Sequence, residues 1–294
     1  MIAPKAGPSS RGDELSISQA LASAATRGVD RLDAQWMLAK LFGQPRSWLI
    51  AHGDALLSDD QRLQYVHWLG RRAAGEPLAY LFGEKEFHGL QLRVGPQVLI
   101  PRPDTETLVD WGLELLCGDL SDIDEPLVID LGTGSGAIAL AIKHRCAAVA
   151  MTAADVSGPA LELARANASA LGISVELVQG DWWAAVPGRC FDLCLANPPY
   201  IAPDDEHLLR LQYEPQSALV SGSSGLSDLY QIIDGATDHL TAGGWLILEH
   251  GHSQAPEVRL RLTGAGFVDV QTRLDLSGLE RCTGGRLGNC RRGA

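Results

Sequence analysis

The spacing of apolar residues changes twice along the chain, and these changes divide it into three parts. From about residue 15 to Gly75, apolar residues recur with the ~3.6-residue period of amphipathic helices. One such helix is predicted to end at Gly43, and residues 1–14, rich in Pro, Gly and Ser, are expected to fray. Two serines stand three residues before a glutamine, the capping-box spacing: Ser16 with Gln19, and Ser58 with Gln61. We therefore predict a helical N-terminal domain over residues 15–78.

The second part has the pattern of strands. Between Tyr80 and Ile100, short apolar runs that include Leu81 and Phe82 are interrupted by glycines and by one proline. This pattern predicts a β-hairpin linker over residues 79–103.

In the third part, residues 104–294, short apolar runs alternate with helical patterns. Six strands are predicted, at 127–131, 149–154, 175–179, 191–196, 245–249 and 267–272. Helices are predicted at 137–145, 159–171, 227–240 and 255–263. Strand–helix alternation favours right-handed crossovers and a parallel, doubly wound α/β sheet, in which ligands bind at the carboxyl ends of the strands.

Composition narrows the class of protein. The 294 residues are 46% hydrophobic and 20% charged, as in an ordinary globular chain, and the net charge is -12. The first 100 residues carry +1 and the rest -13, so tight sequence-independent binding of nucleic acid by the acidic part is not expected. No apolar run approaches the ~18 residues of a membrane span, and the N-terminus has no signal core, so we expect a cytoplasmic protein without membrane association.

The six cysteines form no CxxC pair and have none of the spacings of a zinc site. We therefore expect reduced thiols and no bound metal.

A glycine-rich turn follows the first predicted strand of the sheet. It consists of Gly132, Thr133, Gly134, Ser135 and Gly136, and a helix begins directly after it. Glycines let a ligand approach the backbone, and the helix offers free N–H groups. No Gly-Lys-Ser/Thr follows, so the turn favours a nucleoside over a triphosphate, although a simple strand-to-helix turn has the same pattern.

Acidic and aromatic residues follow the next two predicted strands. Asp155 ends the second strand, where a carboxylate can accept hydrogen bonds from both ribose hydroxyls; it could instead cap the next helix. Asp181, Trp182 and Trp183 follow the third strand, beside the expected position of an adenine ring. One of the two tryptophans is expected to belong to the core.

The fourth strand ends in Asn197-Pro198-Pro199-Tyr200. Two prolines cannot continue a central strand and fix their own φ angles, so the Asn197 side chain and the Pro198 carbonyl are held rigidly. Their oxygens can accept both N–H groups of a planar amine or amide, and Tyr200 adds an aromatic face. The alternative is a structural turn.

These motifs together resemble the class I S-adenosylmethionine-dependent methyltransferases that modify amide or exocyclic amino nitrogens. Within that superfamily the chain resembles the bacterial peptide chain release factor glutamine N5-methyltransferases over about residues 15–280. Four segments carry the narrower resemblance: Ile-Pro-Arg-Pro-Asp-Thr-Glu at 100–106, the glycine turn from Asp130, Asn-Pro-Pro-Tyr-Ile from Asn197, and Leu-Glu-His-Gly from Leu248. The chain departs from the family pattern at 283–294.

The resemblance implies a Rossmann-like fold, a small N-terminal helical domain that docks the substrate, and S-adenosylmethionine as cofactor, with S-adenosylhomocysteine as product. It implies that residues 132–136, Asp155, Asp181, Trp182 and Asn197 bind the cofactor. Asn197, Pro198, Pro199 and Tyr200 would bind the substrate amide, and the catalytic set would be Asn197, Pro198 and Tyr200. The resemblance assigns Arg102 and Glu106 no step in the reaction.

The implied reaction methylates the glutamine of the Gly-Gly-Gln motif in class 1 peptide chain release factors and so modulates translation termination. No direct nucleic-acid binding is expected. One alternative is an adenine-N6 methyltransferase acting on DNA or RNA, which would grip an exocyclic amine with the same tetrapeptide but usually brings a basic recognition region. The other is a nucleoside-binding protein without catalysis, which would not need an amine clamp.

Overall fold

The computed structural model describes residues 14–288. The fraying expected for residues 1–14 concerns a segment that lies, except for Glu14, outside the described residues. The described residues form two compact units that divide between Phe82 and Gly83, and each is described by itself. None of the helices in the described range is long and apolar enough to cross a bilayer.

The first unit is helical within its described residues. It contains α1 (Ile17–Thr26), α2 (Arg31–Phe42), α3 (Arg46–Ala51), α4 (Asp59–Ala73) and α5 (Leu78–Phe82). Both predicted capping boxes form, since Ser16 and Ser58 each accept a hydrogen bond from the amide of the glutamine three residues on. Gly43 follows the last residue of α2, as predicted.

The strand-like interpretation of Leu81 and Phe82 is wrong, because both lie in α5. The amides of Tyr80 and Leu81 donate to the carbonyl of Pro77, which closes a helical turn. Phe82 packs edge-on against Trp68 of α4, with ring centroids 5.1 Å apart. The apolar run therefore belongs to the helical core and does not form a strand.

The second unit begins with an antiparallel hairpin, β1 (Glu84–Phe87) and β2 (Leu90–Arg93), followed by α6 (Glu106–Cys117). The strands of its large sheet are β3 (Leu127–Leu131), β4 (Ala150–Asp155), β5 (Glu176–Gln179), β6 (Phe191–Ala196), β7 (Leu240–Glu249), β8 (Phe267–Leu274) and β9 (Glu280–Leu287). The helices between them are α7 (Ala137–Arg145), α8 (Gly158–Leu171), α9 (Ser227–His239) and α10 (Ala255–Gly264).

The strand order of the sheet is β5-β4-β3-β6-β7-β9-β8. The predicted doubly wound architecture is confirmed, with α6 and α7 packed on one face and α9 and α10 on the other. The order reverses beside β3, which pairs with β4 on one side and β6 on the other. In open α/β sheets ligands bind at such a switch point, outside the carboxyl ends of the strands.

The expectation of a wholly parallel sheet is wrong, because β9 runs antiparallel to both β7 and β8. The divergence noted at 283–294 falls partly on this strand, and residues 289–294 lie outside the described residues. Gly284 and Gly285 are typical of a flexible turn in sequence, but Gly284 is buried in β9. A Cβ on Gly284 would lie 2.6 Å from the Leu246 carbonyl oxygen and 3.0 Å from the Trp111 ring. The glycine is required there by close packing.

Candidate functional site

A cavity of about 330 Å³ lies at the carboxyl ends of β3, β4 and β6. It brings together nine of the site residues predicted from sequence: Gly132, Thr133, Gly134, Ser135, Asp155, Asp181, Trp182, Asn197 and Pro199. The predicted residues Gly136, Pro198 and Tyr200 are not among the described residues that line it. The remaining wall comes from residues in segments 97–105, 137–138, 154–160 and 215–220 and from Gly180 and Asp228.

The glycine turn follows β3 and is folded tightly against β4. The amides of Gly132 and Thr133 both donate to the Ala154 carbonyl at 2.9 Å. Gly132 has φ +74°, and a Cβ there would lie 3.1 Å from the Trp182 ring. The turn therefore lies against an aromatic surface that a larger residue at position 132 would displace.

Asp155 connects this turn to the start of α8. Its Oδ2 accepts from the Gly134 amide and its Oδ1 from the Ser157 amide, both at 2.8 Å. Burial raises the pKa of Asp155, and these two hydrogen bonds oppose the rise. The cap of α8 is Ser157, whose hydroxyl accepts from the Ala160 amide, so Asp155 is not the capping residue.

The two adjacent tryptophans have different environments. Trp183 is buried, donates its indole N–H to the Ile232 carbonyl at 2.8 Å and stacks on His239. Trp182 is half-buried, lines the cavity and has an uncommon positive φ of 43°. Its indole N–H donates to Asp228 Oδ1 at 3.1 Å. Asp228 lies 46 residues from Trp182, and no local motif marks it in the sequence.

The Asn-Pro-Pro-Tyr corner is held by side chains from three other segments. Asn197 Nδ2 donates to the Thr105 hydroxyl at 3.2 Å. The Tyr200 hydroxyl donates to Glu249 Oε1 at 3.1 Å, and Gln254 Nε2 donates to the Tyr200 carbonyl at 3.0 Å. The hydroxyl of Tyr200 is therefore engaged with Glu249 at the end of β7.

Two fully buried carboxyl groups lie at the strand ends near the cavity. Asp130 Oδ2 accepts from the Thr133 hydroxyl at 2.6 Å and the Ala139 amide at 3.2 Å. Burial raises the pKa of Asp130 to about 7. Burial likewise raises the pKa of Glu249 to about 7, against the opposing effects of the Thr105 hydroxyl, Arg281 and Tyr200. Glu249 stands in the Leu-Glu-His-Gly segment, to which sequence analysis assigned no role.

Arg102 and Glu106 make contacts that the sequence could not assign. Arg102 lines the cavity and forms an ion pair with Glu214. Glu214 is buried, and its Oε2 accepts from the Ile100 amide at 3.0 Å, so the pair joins segment 97–105 to the loop that follows the Asn-Pro-Pro-Tyr corner. Glu106 Oε1 accepts from the His88 amide at 3.1 Å in the hairpin turn.

Comparisons with known proteins match both units. Residues 105–214 match the family model described as the methyltransferase small domain, and residues 16–83 match the PrmC N-terminal domain. A release factor glutamine methyltransferase of Bordetella pertussis is 43% identical over 263 residues, which are 88% of this chain and 96% of the relative. One of Salmonella typhimurium is 43% identical over 259 residues, covering 87% of this chain and 92% of the relative.

Solved structures share the fold at lower identity. A methyltransferase from Pyrococcus furiosus has a TM-score of 0.51 and 19% identity, covering 76% of this chain and 98% of that one. A 16S rRNA methyltransferase of Thermus thermophilus, in complex with AdoMet and guanosine, has a TM-score of 0.52 and 16% identity. The match covers 69% of this chain and 49% of that one. At these identities the likeness concerns the fold alone, and it confirms the Rossmann-like methyltransferase fold expected from sequence.

Proposed function

Since this chain belongs to the family of release factor glutamine methyltransferases, we propose that it transfers a methyl group from S-adenosylmethionine to a release factor. The acceptor is the side-chain amide nitrogen, N5, of the glutamine in the Gly-Gly-Gln motif of class 1 peptide chain release factors. One structural observation supports this most directly: Asn197 lies in the wall of the same cavity as the glycine turn and Asp155. Because release factors act in translation termination, we also propose that the enzyme is cytoplasmic.

The cavity suits the cofactor in size and chemistry. Its volume of about 330 Å³ lies in the ~300–1,000 Å³ range of small-molecule pockets. The glycine turn leaves room for a ligand against the backbone, and the carboxylates of Asp155, Asp181 and Asp228 favour a cationic ligand with hydroxyl groups. The residues that would hold the cofactor are Gly132, Thr133, Gly134, Ser135, Gly136, Asp155, Asp181, Trp182 and Asn197. When bound, S-adenosylmethionine supplies an electrophilic methyl group on a sulfonium.

Asn197 and Pro198 orient the acceptor in this proposal. An amide nitrogen is a weak nucleophile because its lone pair is delocalised into the carbonyl. The Asn197 side-chain oxygen and the Pro198 carbonyl accept its two N–H groups, which aligns the nitrogen and stabilises positive charge as it develops. The nitrogen becomes acidic during transfer, so its proton can pass through these acceptors to water without a strong base. Pro199 and Tyr200 complete the substrate-binding corner.

The helical unit, residues 15–78 in our proposal, docks the release factor. An amide clamp cannot by itself distinguish one glutamine from another, so the choice requires contacts elsewhere. Exposed apolar side chains on α2 and α4 are available for such contacts: Leu32, Trp36, Leu63 and Val66. Residues 79–103 link this domain to the methyltransferase domain, 104–294.

The competing function, adenine-N6 methylation of nucleic acid, is less well supported. Such an enzyme must extract a base and bind phosphates, whereas residues 101–294 carry a net charge of -13 and residues 1–100 only +1. The similarity of the whole chain to release factor glutamine methyltransferases also favours the protein substrate.

The proposal is tested by incubating the enzyme with labelled S-adenosylmethionine and, in separate reactions, a release factor or total nucleic acid. We expect label only in the release factor, with one added methyl on the glutamine of its Gly-Gly-Gln peptide by mass spectrometry. Label in nucleic acid, or on another residue, would contradict the proposal.

The role of Asn197 is tested by Asn197→Ala. We expect kcat to fall by about 100-fold or more, because positioning and charge stabilisation at the reacting nitrogen are lost, while the dissociation constant of S-adenosylmethionine changes only modestly. Gln271→Ala, which removes an exposed amide from β8, is the matched control and should leave both values unchanged. Undiminished kcat in Asn197→Ala would refute the clamp.

A further inference from the structure

Trp182 lies in the cavity wall with its indole ring held at two edges. The atoms nearest to a Cβ on Gly132 would be Cζ3 and Cη2 of Trp182, at 3.1 and 3.4 Å, so the outer edge of the six-membered ring faces the glycine turn. From the five-membered ring, Nε1 donates a hydrogen bond to Asp228 Oδ1 at 3.1 Å. Since the ring is rigid, these two contacts together fix its orientation.

The backbone at Trp182 depends on such contacts. Its φ of 43° lies in the left-handed region, which bulky side chains rarely adopt. A residue stays in this region only where its surroundings hold it there. The indole has a single polar group, which only donates, so the acceptor on Asp228 selects the direction in which the ring faces. We therefore expect the ring to reorient when that acceptor is lost.

Asp228 is itself held by the segment that follows the Asn-Pro-Pro-Tyr corner. It lies in the first turn of α9, and its amide donates to the hydroxyl of the buried Ser221 at 2.8 Å. The Ser221 amide donates in turn to the carbonyl of Ile201, the residue after Tyr200, at 3.1 Å. Hydrogen bonds therefore connect the substrate-binding corner to the aromatic wall of the cofactor cavity.

We propose that Asp228 is a positioning residue for cofactor binding: it accepts the Trp182 indole N–H and so holds the ring in the orientation that binds S-adenosylmethionine. Asp228 also lines the cavity, so a direct contact with the sulfonium or with a hydroxyl of the ligand is the competing role. This inference rests on the proposed function, in which Trp182 binds the cofactor.

The first test measures binding by calorimetry, with S-adenosylmethionine and with S-adenosylhomocysteine, which lacks the sulfonium charge. Asp228→Ala removes the acceptor, and we expect both dissociation constants to rise about tenfold, the usual scale for one lost hydrogen bond. Asp228→Asn keeps an oxygen that can accept and should stay within about threefold of wild type. Asp238→Ala, at an exposed position on the same helix, is the control and should bind as wild type does.

Three results of this test would overturn the proposal. The first is wild-type affinity in Asp228→Ala, and the second is binding by Asp228→Asn that is as weak as binding by Asp228→Ala. The third is a loss confined to S-adenosylmethionine, because it would mean that the carboxylate attracts the sulfonium directly. If Asp228→Ala does not fold, Asp228→Leu, which is similar in size and has no acceptor, takes its place.

Trp182→Phe tests the other partner of the hydrogen bond. Phenylalanine keeps an aromatic ring but has no N–H, and we expect it to weaken binding of both ligands. Asp228→Ala added to Trp182→Phe should weaken binding no further, because the contact that it removes is already absent. Losses that multiply in the double variant would show that Asp228 acts on the ligand directly, and would overturn the proposal.

A measurement without ligand follows the ring itself. The chain has seven tryptophans, and Trp182 is identified by the indole N–H signal in the NMR spectrum that Trp182→Phe lacks. This proton should exchange with solvent at least tenfold faster in Asp228→Ala than in wild type, and at an unchanged rate in Asp238→Ala. Equal rates in Asp228→Ala and wild type would overturn the positioning role.

These tests also separate the inference from the proposed function, because neither binding nor exchange needs a methyl acceptor. A wild-type enzyme that binds both ligands but methylates no release factor would contradict the proposed function alone.

Discussion

Asp130 is held in the core behind the glycine turn although ionised carboxyl groups are costly to bury. Its side chain has no exposed surface, and its Oδ1 has no hydrogen-bond partner among residues 14–288. Its other oxygen holds the Thr133 hydroxyl and the first turn of α7 through the Ala139 amide. The residue therefore fixes the turn that faces the cavity and reduces the stability of the fold when it is ionised.

This trade-off predicts a pH dependence. The folded-state pKa of about 7 lies above the ordinary value of 3.8, so the stability that Asp130 contributes is fully present below about pH 4 and is lost as the pH rises through 7. Asp130→Asn carries no charge at either pH. Its free energy of unfolding relative to wild type should therefore increase by a few kcal/mol between about pH 5 and about pH 8.5, since each pKa unit corresponds to ~1.4 kcal/mol.

Denaturant unfolding at the two pH values measures this difference. Asp122→Asn, at an exposed position, is the control and should show no such change. A difference between Asp130→Asn and wild type that is the same at both pH values would contradict burial as the cause of the raised pKa.

Among individual residues, the sequence predicted those that belong to a recognisable local motif. Asp155 and Asn197 stand at strand ends beside recognisable turns. Thr105, Asp228 and Glu249 were not assigned because their significance lies in partners distant along the chain: Thr105 contacts Asn197 92 residues away, and Glu249 contacts Tyr200 49 residues away. Only the fold brings these groups together, so local spacing carries no signal for them.

Among the elements, strands with continuous apolar runs were predicted well and β9 was not. The predicted bounds of β3 and β6 agree with the structure, since both strands are central and almost wholly buried. β9 contains Gly284 and Gly285, whose lack of side chains gives no hydrophobic pattern to detect. The structure shows why a glycine is needed at position 284: the Trp111 ring of α6 packs directly against it.

This packing predicts that Gly284→Ala is strongly destabilising. The new Cβ would lie 2.6 Å from the Leu246 carbonyl oxygen, which belongs to the paired strand β7 and cannot move without disturbing the sheet. We expect a loss of about 2–4 kcal/mol in the free energy of unfolding, measured by denaturant titration.

Gly264→Ala in α10 is the matched control, because among residues 14–288 no atom beyond the adjacent residues and the helix's own backbone lies within 4 Å of a Cβ there. Alanine favours helix over glycine by up to ~1 kcal/mol, so this variant should be neutral or more stable. Equal stability of Gly284→Ala and wild type would show that the strand can shift to accept a side chain.

At the scale of the whole molecule, the helical unit and the rest of the chain differ in net charge and in exposed apolar surface. Residues 101–294 carry the acidic excess and most of the cavity wall, whereas the helical unit is almost neutral by charge count and exposes large apolar side chains. Trp36 on α2 is 45% exposed, with the Arg46 guanidinium 4.4 Å from its ring centroid. Exposed tryptophan beside arginine is the composition typical of protein-binding hot spots.

We therefore expect Trp36→Ala to raise KM for an intact release factor by about tenfold or more, because truncating a hot-spot tryptophan costs ~2 kcal/mol or more. KM for S-adenosylmethionine should not change, since Trp36 belongs to the helical unit and the cavity is lined by the other unit. Leu260→Ala, which truncates a 75% exposed apolar side chain on α10, is the control and should leave both constants unchanged.

A short peptide containing Gly-Gly-Gln should be methylated equally by wild type and by Trp36→Ala, because it is too small to reach a docking surface. Two results would contradict docking by the helical unit: an unchanged KM for the intact factor, or a rise in KM for the peptide as large as that for the intact factor. The helical unit would then be a folding module, and the methyltransferase domain itself would have to select the glutamine.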